Sequence, residues 1–408
     1  MFSIPYAFAN EADSYITIPA LRRFAKERRN DDLKTTVDRP QLIDDIENYA
    51  NQSEENLETV KNWLDYVLVE GIKEVQVKYI DQETLPLSFL SNEEYVDGIL
   101  QPIIADPTNK HLCSRYFPDL KLYRYEFVQE AAGLCIKMFM GKLLCTHDKK
   151  QGSGKSGYPI FVEIYVDKGI IVARAKSKSG IYKYMDNFIL EAADTTTAEK
   201  EMRNAIKYVC SLFNIQTLRA TEANAKFRNR LYYMLECYTK TPEEITALMD
   251  EKKDEIKALT DQIMNNICNL PVSYREDVSS NMENLIEKYF SISYPNKNIF
   301  TKNRNAYPLR LNATDEEESK VEQTAALEEP LQSKAIFFDN KKMLQKSALC
   351  DSVSFMFNRL TTLYCTQKFR VKIFAKNDFC TLKFTEYTME EDIKNVLFSL
   401  IDASGDID

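Results

Sequence analysis

The chain has 408 residues, 44% of them apolar and 11% aromatic, enough for two or three packed domains and too many for one ordinary core. Its formal net charge is -9, so a general basic coat for nucleic acid is excluded, and any DNA-binding surface must be local. Nine scattered Cys with no CxxC pair, and only His111 and His147 beside them, supply a zinc site poorly and fit free thiols in a reducing cytoplasm. No cofactor is expected. Ten glycines are few for an enzyme that cradles phosphates with its backbone. No apolar run reaches 18 residues, and the N-terminus has no basic-then-apolar leader, so neither a membrane span nor a signal peptide is expected.

In chain order, the best-patterned stretch is Ile16 to Tyr49. Ile18, Leu21, Phe24 and Ala25 keep helical spacing, as do Leu42, Ile43, Ile46 and Tyr49. Between Arg22 and Arg39 stand five Arg (22, 23, 28, 29, 39) and two Lys (26, 34), against four acids. The order of parts is Ile16-Thr17-Ile18 into Leu21-Arg22-Arg23-Phe24, a polar extended loop, then Arg39-Pro40-Gln41-Leu42-Ile43. This resembles a SAP-like helix–extension–helix DNA-binding module over about 35 residues. Where that family places a glycine before its second helix, Val37-Asp38 stand here. The resemblance implies duplex-backbone contacts by Arg22, Arg23, Lys26 and Arg39. Charge alone adds Arg28, Arg29 and Lys34. Phosphate contact needs no more than such donors and weakens with salt. The alternative is a solvated amphipathic helix pair.

A third helix follows Ser53, carrying Leu57, Val60, Leu64 and Val67 and stopping at Gly71. Ile72 to Ile80 alternates and reads as a strand. Phe127 to Leu144 suits a helix or a strand pair equally. Ile160–Val166 and Ile170–Ala175 flank Asp167-Lys168-Gly169, which predicts a hairpin with a bulged glycine turn. On its second strand Arg174, Lys176 and Lys178 share one face, a basic stripe that could follow a phosphate backbone. Tyr182 and Tyr184 nearby could stack on bases. The usual alternative is that strand lysines guard an exposed edge.

Thr196 with Glu199 predicts a capping box and a helix to Phe213. Thr241-Pro242-Glu243-Glu244 opens a predicted helix of roughly 40 Å at 1.5 Å per residue. Its ladder is Ile245, Met249, Lys252, Ile256, Leu259, Ile263, Asn266 and Leu270, a candidate surface for a protein partner or self-association. Arg275 to Phe290 predicts a further helix. Asn312 to Lys334 is acidic and reads as a linker. After it come an expected strand at Ala335–Phe338 and an expected helix at Leu344–Leu363. A second hairpin follows, turning at Lys376-Asn377-Asp378, and Met389–Leu400 closes the chain as a helix. The first strand of that hairpin carries a second basic stripe, Lys368, Arg370 and Lys372.

Catalytic signals are weak. Gln151–Gly157 has Lys149 where a phosphate loop needs glycine, and a strand pattern follows it. Cys145 and His147 could share a strand face without an oxyanion partner in sight. Glu163 with Asp167-Lys168, and Glu74 with Lys78, miss the D…ExK spacing of a metal-dependent nuclease.

The expected class is α+β: a helical module over 1–70, a central α+β domain over 71–311, a linker over 312–334 and a hairpin-and-helix region over 335–408. The expected function is a non-enzymatic, cytoplasmic DNA-binding protein, a subunit of a DNA-processing or genome-defence complex, with weak sequence preference on duplex DNA. The alternatives are a protein scaffold or adaptor and a nuclease of unrecognised motif.

Overall fold

The computed structural model describes residues 1–9, 15–29, 38–83, 87–148, 152–186, 191–314, 320–325, 328–361 and 366–404. The class is α+β. The first half runs α1 (Tyr6–Ala9), α2 (Ile18–Arg29), α3 (Arg39–Ala50), α4 (Glu54–Val67), β1 (Lys73–Tyr79), α5 (Glu93–Leu100), β2 (Lys121–Glu130), β3 (Gly133–Asp148), β4 (Gly152–Tyr165), β5 (Ile170–Lys176), β6 (Ile181–Tyr182) and α6 (Ala198–Leu212). The second half runs α7 (Ala220–Tyr238), α8 (Glu243–Glu251), α9 (Lys253–Gln262), α10 (Arg275–Ser293), β7 (Ala306–Thr314), β8 (Lys320–Thr324), α11 (Ala335–Ser347), β9 (Ser352–Asn358), β10 (Lys368–Lys376), β11 (Phe379–Phe384) and α12 (Glu390–Ile401).

These elements form two compact units. The first holds residues 1–224, 359–369 and 376–401; the second holds 225–358, 370–375 and 402–408. The division differs from the one read off the sequence. The N-terminal helices share a hydrophobic core with the sheet that follows them, so 1–70 is no separate module. The 335–408 stretch is likewise divided between the units, because β11 pairs with β1 about 300 residues earlier (Val75 opposite Leu382).

In the first unit the strands run β2-β3-β4-β5-β1-β11, with β6 beside β3, and these neighbours pair antiparallel. The ambiguous 127–144 stretch is a strand pair, Phe127 opposite Ile136. The β4–β5 hairpin forms as its turn residues predict. Tyr165 faces Ile170, and Gly169 takes φ +60, which glycine adopts without a Cβ clash. Asp167 in that turn accepts the Leu134 N–H at 2.8 Å and ties two hairpins together.

Strand alternation gives the sheet two different faces. Ile160, Val162, Ile164, Ile171, Ala173 and Ala175 form one apolar face, packed by α6 through residues such as Met202, Ile206 and Val209. The cap of α6 sits one residue later than expected: Thr197 accepts the Lys200 N–H, while Thr196 bonds Glu201. The other face carries Phe161, Glu163, Tyr165 and Arg174, covered in part by α12, where Phe398 meets Tyr165 edge-on at 5.2 Å.

The Gln151–Gly157 stretch is a strand, not a phosphate loop, from Gly152 onward. Its Gly157 makes room for Tyr116: a Cβ there would lie 2.6 Å from the ring, whereas one at Gly154 meets nothing within 4 Å. Gly157→Ala should therefore cost about 1–3 kcal/mol in urea unfolding through forced repacking, and Gly154→Ala much less. Equal losses at both positions would count against the Tyr116 contact as the cause.

In the second unit, α8, α9, α10 and α11 pack against one another, and β8-β7-β9 form an antiparallel sheet. Three expectations change here. The long helix is broken: Lys252 leaves helical geometry (φ -104, ψ 7), with its N–H on Met249, and Ile263–Ile267 is a π turn. The ladder therefore splits: Ile245 and Ile256 are buried, Met249, Ile263 and Leu270 half-buried, and Lys252, Leu259 and Asn266 exposed. The 312–334 stretch is no linker where it is described, since Arg310 to Thr314 pair with Thr324 to Lys320 and Leu331 is buried. The acidic run at 315–319 lies outside the described residues.

Finally, Ala335–Phe338 opens a helix and 352–358 is a strand, the reverse of the expected order. Ala348 in the left-handed region (φ 50) ends the helix. Val353, Phe355 and Phe357 then alternate into the core, where β-branched and aromatic residues favour a strand.

Candidate nucleic-acid interface

The basic residues of α2 are set by its buried stripe. Leu21, Phe24 and Ala25 point inward, and Phe24 packs on Trp63 (4.4 Å) and Tyr49 (6.2 Å). Asp38 caps α3 by accepting the Gln41 N–H at 3.1 Å, and Ser53 caps α4 through Asn56. Lys26 is exposed and Arg22 half-buried. Arg23 is committed elsewhere: it pairs with Glu70 at 2.6 Å, and Tyr387 donates to the same carboxylate. Burial opposes the charge of Arg23, but Glu70 and Tyr387 outweigh it and raise its pKa.

Arg39 is also turned inward. It is 7% exposed and donates from Nη1 to the Ile16 carbonyl at 2.8 Å, tying the entry to α2 onto α3. Its predicted phosphate contact is thus replaced by a structural one. The side chains of Arg28 and Arg29, and all of Lys34, lie outside the described residues.

The first basic stripe is likewise corrected. Arg174 is 0% exposed, because its face of the sheet is covered. Its Nη2 pairs with Glu163, which also accepts from Tyr165 at 3.2 Å. Beside them Lys137 pairs with Glu130 (2.7 Å) and Glu390 (3.6 Å), and Lys394 with Glu130 (2.8 Å) and Glu390 (2.9 Å). Three cations meet three carboxylates. Burial would raise the pKa of Glu390, but Arg174, Lys394 and Lys137 hold it at about 2. Burial would lower that of Lys137, but Glu130 and Glu390 raise it. A balanced, enclosed set of charges can order the sheet face and the helix above it. It leaves no open cation for a phosphate.

Lys176 is buried, with its ammonium 4.9 Å from the Tyr15 ring centre, and Lys178 is half-buried at 5.7 Å from the same ring. A third lysine stands there, outside the stripe that strand alternation predicts. Lys73, fully buried opposite Lys176, lies 5.8 Å from Tyr15 and donates to the Leu68 carbonyl. Burial first, then Lys176 and Arg174, press its pKa well below the usual lysine value.

The second stripe is open. Along β10, Lys368, Arg370 and Lys372 are exposed, while Phe369, Val371 and Ile373 between them are buried. Arg370 reaches Glu328 at 2.9 Å, and both side chains are about half exposed (45% and 60%). Such a surface pair costs little to separate.

The catalytic candidates are not brought together. Glu163 lies under Arg174, Asp167 holds a backbone N–H, Glu74 pairs with Lys383 and bonds Ser177, and Lys78 pairs with Asp378. Among the described residues, no group of three His, Cys, Asp or Glu side chains could hold a metal ion. The Cys145 thiol is buried against the Met185 backbone, whereas His147 is exposed. No helix among the described residues is long and apolar enough to cross a membrane. Comparison with protein-family models, with curated proteins and with solved structures finds no match.

Proposed function

We propose that this chain is a non-enzymatic DNA-binding protein that holds the duplex backbone through exposed basic side chains. The observation that carries this reading is the alternation along β10. Lys368, Arg370 and Lys372 face solvent on one side, anchored by the buried Phe369, Val371 and Ile373 on the other. Two residues of strand span about 6.7 Å, close to two steps of one DNA strand at about 3.4 Å each. On α2 the SAP-like reading of the N-terminal helices rests on the exposed Lys26 and the half-buried Arg22, since Arg23, Arg39 and Arg174 are held in structural contacts.

A second reading has its own observation. In the helical part of the second unit, Leu259, Ile267, Val272, Tyr274, Leu285 and Tyr289 are exposed. Apolar side chains in that number suit a protein partner, as a subunit of a larger DNA-processing assembly would need.

The binding reading is tested by salt. Three phosphate contacts give a slope of about -2.7 for log affinity against log salt on a mixed-sequence duplex. A slope near zero, or competition by an acidic peptide as effective per charge as by unlabelled duplex, would favour the adaptor reading.

A further inference from the structure

One end of the first unit gathers lysines that the duplex reading does not use. Lys73, Lys176 and Lys178 converge within 6 Å of the Tyr15 ring centre. Tyr15 in turn donates to the Gly157 carbonyl at 3.3 Å, on β4 two residues from Lys155. Lys155 is exposed, 4.6 Å from the centre of the Tyr184 ring, and donates to the Tyr184 hydroxyl at 3.0 Å. Tyr184 donates on to Asp186.

The strand register brings a second tyrosine to the same place. Cys145 on β3 stands opposite Lys155 on one side and Tyr182 on the other, so the three share a face. The Cys145 thiol beneath is held by the Met185 backbone, which fixes the segment that carries Tyr184.

The acids near this end are largely engaged. Glu74 bonds Ser177 and pairs with Lys383, and Glu70 is taken by Arg23 and Tyr387. Asp186 also pairs with Lys155, at 3.7 Å on the exposed rim, so the site offers Lys155 and the half-buried Lys178 beside two half-exposed tyrosine rings, in a chain whose net charge is -9.

Cations beside ordered aromatic rings are the requirements of single-stranded nucleic acid: phosphates meet the ammonium groups and unstacked bases lie on the rings. We infer that this end of the sheet binds single-stranded nucleic acid, with Tyr184 and Tyr182 as stacking platforms and Lys155 and Lys178 as backbone contacts. It is a different surface and a different form of nucleic acid from the β10 stripe, so either assignment can fail alone.

The test is fluorescence anisotropy with labelled oligo-dT, and with an abasic strand of equal length, on the full chain. Tyr184→Ala should weaken oligo-dT binding about tenfold, and Tyr184→Phe, which keeps the ring, by less than about threefold. Lys155→Ala should reduce the salt slope by about 0.7. Replacing Lys368, Arg370 and Lys372 by Ala should leave oligo-dT affinity intact. Three results overturn the inference: no oligo-dT binding by the unaltered chain, equal affinity for the abasic strand, or Tyr184→Ala without effect.

Discussion

Arg174→Met should destabilise the first unit by about 3–5 kcal/mol, whereas Arg174→Met combined with Glu163→Leu should regain most of that loss. The cause is local. Removing the guanidinium leaves Glu163, 3% exposed, beside the Tyr165 hydroxyl without its countercharge. It also removes the strongest cationic influence on Glu390. The second substitution removes the stranded carboxylate, so the cycle isolates the pair. Urea unfolding of the four proteins measures it. If both variants lose stability equally, the ion pair is not what holds this face.

The same substitution has a signature in acid. Glu390 titrates at about 2 in the folded chain, below the ordinary carboxylate value of 4.5. A depressed carboxylate contributes stability above its unfolded pKa and loses it as pH falls through the folded one. Without Arg174 the folded pKa rises, so the acid-unfolding midpoint should move to higher pH.

The second large effect is expected at His111. Its Nδ1 lies 2.8 Å from Asp65 and its Nε2 3.0 Å from Glu58. A neutral imidazole has one N–H, so only the imidazolium donates to both carboxylates. Asp65 is 0% exposed and also accepts from the Leu112 N–H (2.8 Å) and pairs with Arg124 (3.3 Å). Burial pulls the His111 pKa down, but Asp65 and Glu58 outweigh it, and the folded value lies above 6.5.

A raised histidine pKa stabilises fully below the unfolded value, and that contribution fades as pH rises through the folded one. Stability of the unaltered chain should therefore fall relative to His111→Gln as pH increases past 6.5. Asp65→Ala takes the buried carboxylate from both His111 and Arg124, leaving them the more exposed Glu58 and Glu126, and should cost about 3 kcal/mol. Parallel pH profiles for the unaltered chain and His111→Gln would remove the imidazolium from the account.

Local signals were legible where one short segment decides its own shape. Asp167-Lys168-Gly169 formed its turn, Asn377 between β10 and β11 took φ 55, and Glu390–Ile401 closed as a helix. What the sequence could not show was which face another element would cover. Arg174 and Lys372 sit on strands with the same basic alternation. One lies beneath helix α12's charged side chains and the other faces water. Arg39 looked like a loop cation until its guanidinium reached the Ile16 carbonyl. Lys73 and Lys155 lie outside the stripe legible in the sequence, because their cluster joins β1 to the β4–β5 hairpin much later in the chain. The 352–358 strand is not distinguishable from helix in the sequence, because its apolar residues fit either period over so short a run.

The β10 stripe carries the functional claim, and one comparison tests it most directly: duplex affinity of the unaltered chain against Lys368→Glu/Arg370→Glu/Lys372→Glu, with circular dichroism and urea unfolding as folding controls. These side chains are exposed, so the reversal should leave stability nearly unchanged. The account predicts a loss of duplex affinity of at least about a hundredfold near 50 mM salt, with a shallower salt slope. Unchanged affinity in a folded triple variant would contradict it.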